Sequence, residues 1–212
     1  MRQIRLTTLL LLAAYAFAIR LIPYALHLAG VSIDPETTWY PWNFSPFMAV
    51  CLFAGAASLG RFWTTALPFA VLLASDLGVW ALTGRMDWAF YPGQPLIYGC
   101  FALSLLMSRW TLGPNPGWNR ALPTAFAAEV AFFLITNWAV WAFEPSVTYP
   151  RTPAGLWMCY VAALPFFGRS LLSTMLFTMV LFSPIGLRQT NTPPRVLPAK
   201  GRELAPVTVS TK

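Results

Sequence analysis

The chain is predicted to be an all-α polytopic membrane protein, a helical bundle of about six transmembrane helices. Three observations predict this. First, 57% of its 212 residues are hydrophobic and only 10% are charged. Soluble domains carry about 25% charged residues, so a water-facing surface could not be covered here. Second, several apolar runs reach or approach the roughly 20 residues that cross a bilayer as a helix. Third, the basic residues cluster in alternate loops, the bias that orients helical membrane proteins. That bias accounts for the net charge of +7 without invoking nucleic acid.

The first segment is Leu6–Leu28. Arg2 and Arg5, then "LTTLLLLAAY" and "AFA" at Ala16–Ala18, have the layout of a secretory signal and its cleavage site. The apolar run continues through "IRLIPYALHL", however, so it reads as an uncleaved helix. Ala14 and Ala18 stand four apart on it, a spacing of small residues that lets helices approach closely. The second segment is Pro46–Gly60, with Ser45 as its cap and Pro46 as its first helical residue. Its small face comprises Ala54, Gly55, Ala56 and Gly60. Trp63–Leu82 is the third segment, closed by Gly84, and Pro95–Met107 is the fourth. The second and fourth are short, so they either stand nearly upright or stop short of crossing. "GPNPG" at Gly113–Gly117 separates the fourth from Leu122–Phe143, and "TPAG" at Thr152–Gly155 precedes Leu156–Phe182. From Ser183 onward the chain is rich in Pro, Thr and basic residues and has little to bury. The expected organisation is one transmembrane domain, residues 1–182, and a disordered cytoplasmic tail, residues 183–212.

Orientation follows from the loop charges. Arg2, Arg5, Arg61, Arg109 and Arg120 fall on one side, as do Arg188, Arg195, Lys200, Arg202 and Lys212. The other side has only Arg85 and Arg151, beside Asp34, Glu36, Asp87 and Glu144. This places both termini in the cytoplasm. Cys51, Cys100 and Cys159 all lie inside apolar runs, no CxxC occurs, and His27 is the only histidine. Neither a disulfide framework nor a zinc site is expected, and no cofactor is implied.

One loop departs from the rest. "ETTWYPWNFSPF", Glu36–Phe47, combines aromatics with two prolines and an asparagine at the expected outer surface. Trp39, Tyr40 and Trp42 fit an interfacial aromatic belt. They equally fit a stiff lid over a small molecule, because Pro41 and Pro46 fix two backbone angles and Asn43 offers both a donor and an acceptor. Ionisable residues inside spans usually face the bundle interior and pair or serve function. Two opposite-charge pairs are expected, Arg20–Asp76 in the outer half and Glu129–Arg169 nearer the middle. Asn137, Trp138 and Trp141 on the fifth span, with Tyr160 on the sixth, would form the wall facing the loop.

"RLIPY" at Arg20–Tyr24, "NFSPFMAVCLFAGA" at Asn43–Ala56 and "SDLG" at Ser75–Gly78 come in a recognisable order. "FFLITNWAVW" at Phe132–Trp141 and "YPRTPAGLWMCYVAALPFF" at Tyr149–Phe167 follow. Together they resemble a family of small bacterial inner-membrane proteins of unknown function described as transport proteins. That family is similar to the substrate-binding S-components of energy-coupling factor (ECF) transporters. The resemblance implies six helices with cytoplasmic termini and an outward pocket capped by the first loop. It also implies an AxxxA-type face on helix one, matched here by Ala14 and Ala18, for docking to a transmembrane coupling subunit with its ATPases. The implied role is capture of a vitamin-like small molecule, with Arg20, Asp76, Asn137 and the aromatic loop suited to something planar and partly polar. The chain lacks GxxxxGK[ST], as expected of a subunit that leaves ATP hydrolysis to others. Rod-shape scaffolds of the MreD type resemble the same fold, which gives a non-transporting scaffold as the alternative. A membrane enzyme ranks third, because no nucleophile–base pair, metal cluster or suitably spaced carboxylate pair is present.

Overall fold

A helix that is apolar on every side has no face to show to water and belongs in an interior. In the computed structural model, which describes residues 2–31, 44–57, 62–113, 116–143 and 148–189, the second helix is that interior element. The described chain runs β1 (Arg2–Ile4), α1 (Leu6–Leu28), α2 (Phe47–Ala57), α3 (Phe62–Thr83), α4 (Met86–Ala89), α5 (Gln94–Thr111), α6 (Trp118–Phe143), α7 (Pro153–Leu181) and β2 (Leu187–Gln189). Every residue of α2 from Phe47 to Ala54 is buried. The longer helices surround it: α2 packs most closely on α5, α6 on α7, and α1 on α3.

The α2–α5 crossing is tight because of its composition. A Cβ added at Gly55 would overlap the Leu105 carbonyl oxygen and lie 3.1 Å from Ser108 Cβ. Ser108 Oγ in turn donates to the Leu52 carbonyl. Small residues and hydroxyls at a close crossing are the usual means of helix association where there is no water to drive it.

Among the described residues, four helices are long and apolar enough to cross a membrane: Thr7–Leu28, Phe62–Thr83, Trp118–Phe143 and Pro153–Leu181. Setting aside the one-turn α4, six helices match the expected number of spans, but α2 is too short and α5 not apolar enough to meet that standard. At about 1.5 Å per residue, the 11 residues of α2 cover roughly half of a 30 Å hydrocarbon layer. Large rings stand outward in two tiers. Trp63, Trp110 and Trp118 lie near one end of the bundle, and Trp138, Phe143 and Trp157 near the other, all strongly exposed. On α6, Trp118 and Trp138 are 20 residues apart, about 30 Å along the helix axis, which is the thickness of the hydrocarbon layer.

Both ends of the described chain lie on one face. β1 and β2 pair antiparallel, Arg2 opposite Gln189 and Ile4 opposite Leu187. Arg5 N–H donates to Gly186 O at 2.8 Å, and Thr8 Oγ1 donates to Ile185 O at 2.9 Å. Residues 183–189, expected in a disordered tail, form a turn and a strand instead, because the backbone of β1 supplies their hydrogen-bond partners; residues 190–212 lie outside the described residues. At the same end Leu9, Val50, Phe53, Leu112, Leu181 and Phe182 form an apolar cluster. At the opposite face α3 ends at Gly84 with φ 67°, a left-handed conformation that glycine accepts without strain. There Arg85 donates to Asp87 Oδ2 at 2.6 Å and lies over the Trp88 ring at 4.4 Å. This guanidinium holds the Asp87 carboxyl below its ordinary range.

Candidate functional site

Because α2 starts at mid-depth rather than at the bundle's end, the space above its first turn is left empty. A cavity of about 820 Å³ occupies it and opens to the surroundings. Its base is Phe44, Ser45, Phe47 and Met48 at the amino end of α2. Ser45 Oγ accepts from Phe47 N–H at 3.3 Å, the cap expected from Ser45–Pro46. Ser173 Oγ donates to Ser45 O at 2.8 Å and ties this end to α7. Below the base, the apolar cluster closes the bundle on the face where β1 and β2 pair.

Helical spacing builds the walls. On α1, Ala16, Arg20, Pro23, Tyr24 and His27 recur every three or four residues and share one face. Gln94, Tyr98 and Phe101 come from α5, Glu129, Phe133 and Asn137 from α6, and Ala163, Phe167 and Ser170 from α7. Rings dominate. Phe47 meets Phe101 edge-on at 4.6 Å, Phe101 lies 5.4 Å from Phe132, and Phe133 lies 4.7 Å from Phe167.

Two polar groupings interrupt the apolar wall. In the first, Arg20 pairs with Asp76 Oδ1. The other carboxylate oxygen accepts from Gln94 Nε2 at 2.5 Å and from the Tyr98 hydroxyl at 2.6 Å. Asp76 is fully buried, whereas the Arg20 side chain keeps 31% of its surface and lines the cavity. The expected outer pair is thus part of a four-residue cluster joining α1, α3 and α5. In the second, Glu129 is 1% exposed and lies on the wall. Its carboxyl accepts from Thr174 Oγ1 at 2.5 Å and from Ser170 Oγ at 3.1 Å.

The expected Glu129–Arg169 pair does not form. Ser170 and Thr174 occupy the α7 face that meets Glu129, and Arg169, exposed, lies off that face. Asn137 lines the cavity, with its Nδ2 donating to Phe133 O at 2.8 Å. The other expected wall residues lie elsewhere. Trp138 faces outward against Phe143. Trp141 Nε1 donates to Pro150 O at 2.9 Å and anchors the turn before α7. The Tyr160 hydroxyl donates to Leu134 O at 2.9 Å and fastens α7 to α6. Trp39, Tyr40, Trp42 and Asn43 lie outside the described residues. Ala14 and Ala18 are exposed on α1, on the side away from Ala13 and Ala16, which are buried.

Sequence reasoning passed over Gln94, Tyr98, Ser170 and Thr174. Both pairs are one helical turn apart, and that spacing of polar groups within apolar helices was the available signal. Among the described residues, no three His, Cys, Asp or Glu side chains converge as a metal site. The arrangement is suited to holding a molecule in a largely aromatic space with a few fixed polar contacts. No curated protein and no solved structure is significantly similar to this chain. Residues 1–196 match the family of unknown function DUF6580, and the chain belongs to that family.

Proposed function

We propose that this protein is an S-component-like subunit of the bacterial inner membrane that captures a small, partly polar micronutrient from the extracytoplasmic side for uptake. The observation that carries the reading is the cavity. Small-molecule sites are typically concave spaces of about 300–1,000 Å³, mostly apolar with a few placed polar groups, and the 820 Å³ space fits that description. Its position adds support, because Tyr24, His27 and Gln94 in its lining lie toward the ends of α1 and α5 remote from the face where β1 and β2 pair. With that face toward the cytoplasm, as the loop charges indicate, the cavity opens outward.

A coupling subunit and its ATPases complete the proposal. Ala14 and Ala18 are exposed on α1, where small side chains permit close backbone approach by a second helix. The test is mass spectrometry of small molecules retained by the full-length protein after mild extraction. Ala163 lines the cavity beside Phe166 and Phe167, and Ala163→Trp would set an indole where the flat body of a ligand would lie. The wild-type protein should retain a compound near one per chain, and Ala163→Trp should lose it while remaining folded. Equal retention by both proteins, or by neither, would refute capture in this cavity.

A further inference from the structure

The charges around the cavity do not balance, and the imbalance bears on what the cavity holds; this inference rests on the capture reading above. At the outer level Arg20 and Asp76 cancel each other. Deeper in the wall, Glu129 has only neutral hydrogen-bond partners, Ser170 and Thr174, one on each carboxyl oxygen. No lysine, arginine or histidine among the described residues pairs with it. The first turn of α2 packs nearby, since Met48 clusters with Ala125 and Ala128 on α6. A helix amino end offers only about half an elementary charge, so the carboxyl group has no full counter-charge among the described residues, in surroundings where an isolated charge is costly. The remaining wall favours the same sign of ligand. Phe132, Phe133, Phe166 and Phe167 line it, and the negative faces of such rings attract cations.

We infer that the ligand of this cavity is an organic cation with one positive charge, a quaternary or protonated amine or a heteroaromatic cation. Its charged end lies toward Glu129, and its flat apolar body lies among the phenylalanine rings. A neutral ligand would leave the carboxylate uncompensated. An anion would meet it with like charge.

The test uses the full-length protein in phosphatidylcholine nanodiscs and three benzene-ring probes of similar size. These are benzyltrimethylammonium, N,N-dimethylbenzamide and benzenesulfonate, with dissociation constants measured by calorimetry. The cation should bind at least about tenfold more tightly than the amide, a floor well below the attraction of a unit charge about 4 Å away at an effective dielectric near 20, and the sulfonate should bind least. Glu129→Gln should erase the preference for the cation while leaving amide affinity within about twofold, since one neutral site then replaces a charged one. If that variant fails to fold, Ser170→Lys, which sets an ammonium beside Glu129, should erase the same preference. Equal binding of cation and amide by the wild-type protein would overturn the inference and leave capture standing. Tightest binding of the sulfonate would do the same. If none of the three binds, the inference falls; if the mass spectrum also shows no retained molecule, the capture reading falls with it.

Discussion

Removing the Arg20 guanidinium should destabilise the protein by about 3 kcal/mol, near the low end of what is lost when one partner of a buried pair is removed. The magnitude follows from what each member of the cluster retains. Asp76 is fully buried, so in Arg20→Ala its carboxylate has no water to replace the lost donor. Gln94 and Tyr98 still donate to it, which keeps the cost from the upper end of the range. Asp76→Asn is a different perturbation. Gln94 and Tyr98 both donate to Oδ2, and an amide nitrogen there would face two donors. Arg20, 31% exposed to the cavity, can rehydrate, and Gln94 also donates to Ala89 O at 2.9 Å. The expected cost is about 2 kcal/mol, typical of one disrupted set of buried hydrogen bonds. The double variant should cost less than the sum, because each single change already breaks the same contact. An isolated ion pair would tolerate exchanging its two charges. This cluster would not, because Gln94 and Tyr98 would then present donors to a buried guanidinium. Reversible unfolding in mixed detergent micelles gives these free energies directly. Single variants within about 0.5 kcal/mol of wild type, the usual scatter for sites without such a role, would refute the reasoning, as would full rescue by the charge exchange.

Two further outcomes are expected. Gly55→Ala should force α2 away from α5, because its methyl would overlap the Leu105 carbonyl; a loss of about 1–3 kcal/mol is typical of such overpacking, and a melting temperature equal to wild type would contradict the close crossing. Reporter fusions after Gln189 and within the Asp87–Tyr91 region should give opposite sidedness, with the former cytoplasmic, and the same sidedness for both would contradict the topology.

Much of the helix plan was legible because the segments are long and uniformly apolar, and length is what a bilayer selects. Leu6–Leu28 coincides with α1, and the expected ends of the longer spans fall within a few residues of α3, α6 and α7. The Arg20–Asp76 pairing was legible for a related reason. A charge inside a span has few tolerable partners, and the rise per residue put these two at a similar depth. Glu129 was harder. Depth alone admitted Arg169, but helical phase decided otherwise, bringing Ser170 and Thr174 to the carboxyl and leaving Arg169 outside. Among the wall residues Trp138 failed on phase, one position past Asn137 and turned outward, whereas Trp141, one turn beyond Asn137 on the same side, gives its indole N–H to Pro150.

The cavity itself was the feature least available to sequence reasoning, and its origin lies in a length that did not look meaningful. An 11-residue apolar helix could be a frayed span or a buried half-helix, and its composition is the same in both cases. What separates them is burial on all sides, a property of the five longer helices and not of α2. Those helices continue past the point where α2 begins, so the missing turns of α2 become empty volume ringed by their inward faces. Residues selected to line that volume therefore sit on helices that read individually as ordinary spans. Polar members such as Gln94, Tyr98 and Ser170 join the lining only once α2 is known to begin at Phe47. The short helix thus does two things at once: its side facing the chain-end cluster plugs the bundle through Val50, Phe53 and Ala56, and its amino end supplies the base on which a bound molecule would rest.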